Sequence, residues 1–442
     1  MINRTRGRFV RYAIGVLAST VASNTFAAGH LEFEGWSFYQ SSNDRATNTA
    51  NFIIGPDIEE HGRYINGKLD LRAYTITTDR TAFTLEAQNA FISSNERLSQ
   101  LHQISAGRRQ YDWSRMDDEW TLGLWSPRFS WDPLRPIQVG LTGAFYTYQS
   151  KHWRFLAYGS PLSIPERGFP QSDGGGKITS PSPWFNPLPE KVQVQSQTLP
   201  IAYKINYPPI ETIILRPAVG TKLSYDSKEG YWASAGYGYM PIHQVDLAVD
   251  AKVNIQDNRV NAVVYPRFPM HHLLTTEAGY DYSWWGIWGS LTGEYPEQPP
   301  TPSDFRYTPI GPSLVTSWGG NIKMREGLSL KTSYLTIRET KTALPSSAGT
   351  IDTPGRYPYT KAWMLGGDWQ PTDLLTYTVK WTYDVAKVSS LLSMDLMFKK
   401  PTPSGFWGVG IGSDFINSDT NKGLIGQYEG NDRVRGKVVY AF

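Results

Sequence analysis

Apolar and polar residues alternate with period two along most of this chain, and no long stretch offers the 3.6-residue period of a helix. Val245, Leu247, Val249, Ala251, Val253 and Ile255 fall on one face; Asp246, Ala248, Asp250, Lys252 and Asn254 fall on the other. An extended strand sorts residues this way and a helix does not. The chain turns at Asp257-Asn258, and residues 259–268 read as the returning strand. The same alternation sets Leu375, Tyr377, Val379, Trp381 and Tyr383 against Thr376, Thr378, Lys380 and Thr382. It sets Leu392, Met394, Leu396 and Phe398 against Ser393, Asp395, Met397 and Lys399, and Trp407, Val409, Ile411 and Phe415 against Gly408, Gly410, Gly412 and Asp414. Near the start, Ile65, Leu69, Leu71 and Ala73 oppose Asn66, Lys68, Asp70 and Arg72, and Phe83, Leu85 and Ala87 oppose Thr84, Glu86 and Gln88. The chain is all-β.

Connections come in two lengths. Residues 78–80, 256–258, 325–327 and 371–373 read as tight turns, whereas 41–60, 159–194, 295–311 and 339–359 are long and rich in Pro, Gly, Ser or charge. Short turns at one end and long loops at the other are the habit of outer-membrane barrels. Composition is even from about residue 30 onward, with no linker and no solenoid repeat. Residues 29–442 therefore read as a single domain, with length for about 16 to 18 tilted strands. The alternating segments outnumber that, so some of them belong to loops.

The first residues read as an address. Arg4, Arg6, Arg8 and Arg11 precede an apolar run over 12–23, and small residues follow up to Ala27-Ala28. This is the pattern of a cleaved secretory signal peptide over residues 1–28. Elsewhere the sequence has no run of ~18 apolar residues, the length of a spanning helix. The formal charge of +3 comes from 43 Lys and Arg against 40 Asp and Glu. Without the four leader arginines, 39 basic residues face 40 acidic ones, which argues against a nucleic-acid partner. The absence of cysteine excludes a disulfide framework, a Cys-ligated metal and a cysteine nucleophile.

The C-terminal strand ends Val434-Arg435-Gly436-Lys437-Val438-Val439-Tyr440-Ala441-Phe442. A terminal Phe442 with Tyr440 and Val438 at two-residue steps resembles the C-terminal signal of bacterial outer-membrane β-barrels. The glycine of the fuller signal is offset by one position. That resemblance implies a barrel-insertion machinery that reads Val438, Tyr440 and Phe442, and a location in the outer membrane among its lipids. Physics agrees, because lipid offers no hydrogen bonds and a spanning sheet must close on itself. The expected fold is a closed antiparallel transmembrane β-barrel with periplasmic termini, short periplasmic turns and long extracellular loops. The 16 Trp and 26 Tyr exceed what one soluble sandwich core would hold, and they suit headgroup-level girdles. Tyr282, Trp284, Trp285, Trp288 and Tyr295 cluster in that manner.

A barrel of this size cannot fill its interior with wall side chains alone, so the lumen holds water or a plug. The expected lumen-lining residues are Lys68, Asp70, Arg72, Glu86, Asp246, Asp250, Lys252, Lys380, Asp395, Lys399, Arg435 and Lys437. They are of mixed sign, and cross-strand ion pairs alone would also account for them. Residues 107–136 stand apart, placing Trp113, Trp120, Trp125 and Trp131 among Arg108, Arg109, Arg115, Asp117, Asp118 and Asp132. Aromatic rings beside charged groups suit sugar contacts; girdle or loop packing is the commoner use of such tryptophans. The segment loosely resembles barrels encoded with exopolysaccharide-secretion systems, which implies a periplasmic polysaccharide-export complex as partner. Residues 159–194 follow soon after and could fold into the mouth as a constriction; the sequence leaves that open.

Signals for chemistry are poor. No metal site and no cofactor are expected: His271-His272 point to opposite faces of a strand, and no H-E-x-x-H occurs. Gly174-Gly175-Gly176-Lys177 lacks the first glycine and the following Ser or Thr of a phosphate loop. Alternation begins near Leu31, leaving no room for an N-terminal plug domain. The expected function is a non-enzymatic outer-membrane channel for hydrophilic solutes, leaning towards carbohydrate or exopolysaccharide cargo. The alternatives are a plugged barrel that binds or anchors surface polysaccharide, and a barrel enzyme with a rim active site.

Overall fold

A computed structural model describes residues 28–39, 48–77, 81–185, 187–227, 229–297, 306–307, 310–324, 327–340, 357–403, 405–420 and 423–442. Residues 1–27, which carry the expected leader, lie outside them, as do 341–356 of one expected long loop.

Eighteen strands form one sheet. The first six are β1 (Gly29–Phe38), β2 (Asn48–His61), β3 (Ile65–Thr77), β4 (Thr81–Ser94), β5 (His102–Arg109) and β6 (Leu141–Gln149). Next come β7 (Trp153–Ser160), β8 (Ala218–Asp226), β9 (Tyr231–Pro241), β10 (Met270–Asp281), β11 (Trp285–Pro296) and β12 (Ser313–Lys323). The last are β13 (Leu328–Glu339), β14 (Lys361–Thr372), β15 (Leu375–Asp384), β16 (Ser389–Thr402), β17 (Gly405–Ser418) and β18 (Arg433–Ala441). Each strand pairs antiparallel with the next along the chain. β1 also pairs β18, from His30↔Ala441 to Phe38↔Arg433, so the ring is closed. Gly29 N–H donates to the Phe442 carbonyl at 2.6 Å, and Phe442 N–H donates back at 3.0 Å. Closure leaves no edge of unpaired amides, the condition for a sheet that spans lipid.

The alternation is inverted relative to a protein that folds in water. On β4, Phe83 is 63 % exposed while Glu86 is 1 % exposed and points inward. Phe33, Phe52, Leu291, Trp318, Leu365 and Val409 likewise face out. An apolar outer wall with carboxylates and guanidinia inside is stable only if the outside is lipid. Both strand ends at the termini and the turns 62–64, 95–101, 150–152, 282–284 and 373–374 lie at one end. The long connections 110–140 and 242–269 lie at the other. By the length rule the first end is periplasmic.

The structure corrects several readings of the sequence. Residues 48–60 of the expected loop 41–60 belong to strand β2. The segment with the clearest alternation is no barrel strand: Asp246–Asn254 and Arg259–Arg267 pair as a hairpin inside connection 242–269. Arg259–Arg267 runs parallel to Gln197–Ile205, a pairing no antiparallel barrel contains. The turn at 256–258 is thus a loop tip on the extracellular side. Asp246, Asp250 and Lys252 do not line the lumen wall. A hairpin with one packed face, where Val249, Ala262 and Val264 are buried, has the same period two as a lipid-facing strand. Trp288 points into the barrel, 7 % exposed, and so leaves the outer girdle to Tyr282, Trp284, Trp285 and Tyr295.

Candidate functional site

Residues 110–140, between β5 and β6, leave the wall and cross the lumen. One arm is fixed by a wall carboxylate. Ser114 opens a short helix, α1 (Arg115–Trp120); its hydroxyl accepts from Asp117 N–H at 3.2 Å and donates to Glu277 Oε1 of β10 at 2.8 Å. Glu277 also accepts from the backbone N–H groups of Arg115 (3.2 Å) and Met116 (3.3 Å) and from Ser290 Oγ (2.9 Å). These N–H groups at a helix start have no partner within the helix, so a carboxylate there is stabilising. Asp117, fully buried, accepts from Leu124 N–H (3.1 Å) and Trp125 N–H (2.8 Å) and so folds the chain back after the helix. Trp120 Nε1–H donates to Ser317 of β12 at 3.0 Å, and Trp125 Nε1–H to Thr275 of β10 at 2.9 Å.

The wall beside β10 is built to receive these rings. Trp113 and Trp125 stack with centroids 5.2 Å apart and planes 2° from parallel. A Cβ at Gly238 would stand 2.9 Å from the Trp125 ring, and one at Gly220 3.3 Å from Trp113, so glycine on β8 and β9 makes the room.

The other arm reaches the facing wall, around β16–β18, β1 and β2. Trp131 Nε1–H donates to Asn51 of β2 at 3.2 Å. Asp132 pairs with Arg433 of β18 at 2.5 Å, and Arg433 with Asp414 of β17 at 2.7 Å. Arg135 bridges Asp395 (2.6 Å) and Asp414 (2.8 Å). Arg435 joins Asp395, Asp414 and Glu34. Arg433 is wholly buried and lies 4.7 Å from the ring centroids of both Trp36 and Trp184. Trp184 belongs to connection 161–217, so one guanidinium holds two long loops to the wall. That second connection also ties Glu166 to Arg128 at 2.8 Å, Arg167 to Glu86, and Phe169 to the face of Trp131 at 4.0 Å.

The lumen is thereby divided. Towards the extracellular end, inward residues all round the ring are buried, among them Trp36, Ile76, Tyr158, Met240, Val315 and Leu391. They pack with Trp120, Leu122, Leu124 and Phe129 into one apolar core. Towards the periplasmic end the wall is charged and open to water. Lys68, Arg72, Lys380 and Lys437 are partly exposed and Lys399 exposed, all on the inner parity. Asp70, Glu86, Asp395 and Arg435 share that parity and are held in ion pairs. On the crossing segment Asp112 and Asp118 face this wet chamber.

Asp118 is open to water yet ringed by protein. Enclosure, and secondarily the Asp117 carboxylate, push it up to about 7. It therefore loses its charge as pH falls through neutrality. In a potassium chloride gradient at low ionic strength, where screening over ~10 Å is weak, cation preference is expected to drop between pH 8 and pH 6. Asp118→Asn should abolish that pH dependence of the reversal potential, and a pH profile unchanged in Asp118→Asn would refute the assignment.

The four tryptophans singled out by sequence are brought together, but their faces are covered: Trp113, Trp120, Trp125 and Trp131 are at most 4 % exposed. They serve as packing for the crossing segment, and no ring is left for a sugar to stack on. Within 159–194, Arg167 reaches Glu86, Phe169 stacks on Trp131 and Trp184 packs on Trp36, so this connection also enters the mouth, beside the arms of 110–140. Glu277, Asp414, Arg433, Glu34 and Trp184 were missed. For the four charged residues the signal was charge on the inward parity of a strand beside a loop rich in opposite charge, which only the strand register makes visible; Trp184 lies on a connection and carried no such signal. Val438, Tyr440 and Phe442 lie on the lipid face of β18, where Tyr440 stacks on Trp407 at 4.3 Å.

A closed antiparallel ring of eighteen strands, apolar outside, wet inside and crossed by one of its own loops, is an outer-membrane β-barrel of porin architecture. No protein-family model and no curated protein matches the sequence. Solved structures that resemble it include a BenF-like porin from Pseudomonas fluorescens Pf-5, at 11 % identity and TM-score 0.47, covering 94 % of this chain and 98 % of that one. OccAB4 of Acinetobacter baumannii matches at 9 % identity and TM-score 0.45, covering 95 % of this chain and 98 % of that one. OccK11 (OpdR) of Pseudomonas aeruginosa matches at 10 % identity and TM-score 0.45, covering 94 % of this chain and 95 % of that one.

Proposed function

We propose that the protein is a narrow outer-membrane channel for small hydrophilic solutes, with residues 110–140 as its selective constriction. The observation that carries this reading is the wet, mixed-charge inner wall that runs from the periplasmic mouth up to the crossing segment. Charge of both signs in a lumen tunes which solutes enter without any chemistry or cofactor. The covered tryptophans lend no support to a carbohydrate or exopolysaccharide cargo, nor to a polysaccharide-export complex as partner. Val438, Tyr440 and Phe442 act in this reading as the signal for the insertion machinery. Liposome swelling tests it: small amino acids and monosaccharides should enter proteoliposomes, and trisaccharides should be excluded. Equal entry of both size classes would contradict a narrow constriction.

A second reading is favoured by the apolar core in the extracellular half. A barrel held shut there would bind or anchor material at the cell surface rather than conduct, and no solute of any size would swell the liposomes.

A further inference from the structure

We infer that residues 210–217, which lead into the upper end of β8, are embedded in the outer leaflet and covered there by lipid acyl chains. A loop segment thus completes the apolar belt where the sheet falls short. The four consecutive strands β5–β8 have only 8, 9, 8 and 9 residues, whereas β10–β14 have 11 or 12. Eight residues at ~3.3 Å each, tilted by ~40°, rise only ~20 Å, less than the ~25 Å apolar band of an outer-membrane barrel. A wall too short for the bilayer is costly to leave as it is. The upper girdle is missing at the same place. Other upper ends carry Tyr237, Tyr295, Trp363, Tyr383 or Phe415 outward, whereas β6–β8 offer only Thr142, Gly159 and Val219.

The chain supplies the missing height just above β8. Exposure alternates without a break from the wall into the loop. Leu223, Thr221, Val219, Pro217 and Leu215 are exposed, while Lys222, Gly220, Ala218 and Arg216 are buried or half-buried. The lipid-facing stripe of β8 therefore continues to Leu215, three residues above the sheet, roughly the ~5 Å that is lacking. Next to it stands one helical turn, α2 (Ile210–Ile214). At ~100° per residue, Ile210, Ile213 and Ile214 fall on one side of that turn, and Glu211 and Thr212 on the other. Ile210 and Leu215 are each 63 % exposed, large apolar side chains that no part of the described chain covers. The turn is held at rim level. The Ile214 carbonyl accepts from Ser163 N–H at 2.8 Å, three residues past the end of β7. Arg216 lays its guanidinium on the carbonyls of Thr212 and of Phe268, just before β10, and so keeps its charge off the stripe. Apolar surface continuous with a lipid-facing wall, at the depth where that wall gives out, takes the same solvent as the wall.

The sequence has no cysteine, so single sites can carry a small uncharged maleimide dye. The sites are Ile210→Cys, Leu215→Cys, Leu223→Cys on the lipid face of β8, and Gln256→Cys at the extracellular hairpin tip. Each variant is labelled in detergent, reconstituted into vesicles and shown to be folded by its heat-modifiable mobility. Phosphatidylcholine brominated along its acyl chains should quench the dye at positions 210 and 215 about as strongly as at 223, and aqueous iodide should leave all three bright. The dye at position 256 should show the reverse. Iodide quenching at 210 and 215 equal to that at 256 would overturn the inference. So would quenching by neither agent, which would mean that protein covers the patch.

Discussion

Excising residues 112–138 and closing the gap with a short Gly-Ser linker is expected to raise single-channel conductance by roughly an order of magnitude, since an eighteen-strand lumen without its crossing segment is an aqueous pore. The barrel should still assemble, because the ring's backbone hydrogen bonds are made strand to strand and owe nothing to the segment. The apolar core would lose the members that the segment supplies, among them Trp120, Leu122, Leu124 and Phe129. Tyr158, Met240 and Val315 would then face water, which lowers thermal stability without opening the sheet. The check is a planar-bilayer recording beside a thermal melt of the same preparation. An excised barrel that folds and conducts no better than the parent would remove the segment from the pathway.

Replacing Arg433 with methionine is expected to have the second largest effect. The guanidinium is fully buried, paired with Asp132 and Asp414, and packed between Trp36 and Trp184. Methionine keeps much of the volume but leaves two carboxylates short of a partner. Breaking one side of a buried ion pair costs ~3–5 kcal/mol. Arg135 and Arg435 still contact Asp414, so the loss falls mainly on Asp132, the residue on the crossing segment. The outcome should be release of the arm near Asp132 together with the loop bearing Trp184. Recordings would show frequent switching to higher conductance levels, and protease added outside would cut within 161–217. Asp132→Asn in the Arg433→Met background should restore steady current by removing the stranded charge. A variant as quiet and protease-resistant as the parent would show that Arg433 does not hold the loops.

Much of the fold was legible because a lipid-facing strand obeys a strict rule. Its outward residues must be apolar and its inward ones need not be, as in Trp407, Val409 and Ile411 against Gly408, Gly410 and Gly412. The same rule was blind to what lies beyond the membrane. The hairpin 246–267 alternates as cleanly as any wall strand, because a small sheet packed on one face needs the same period. The candidate site was legible in composition and illegible in geometry. Residues 107–136 stood out for tryptophan and charge, yet their use depends on partners far along the chain, such as Glu277 and Arg433. Those contacts follow from ring closure, which brings β10 and β18 to opposite sides of one lumen, and no local pattern encodes that.

The account turns on whether the crossing segment leaves a passage. The most direct measurement is the single-channel conductance of the barrel with its crossing segment intact in a planar bilayer, taken from a preparation shown to be folded. Small, stable steps, well below those of the excised barrel, are the predicted result. A folded protein that gives no steps at any voltage or pH would contradict it and leave the barrel as a closed surface anchor.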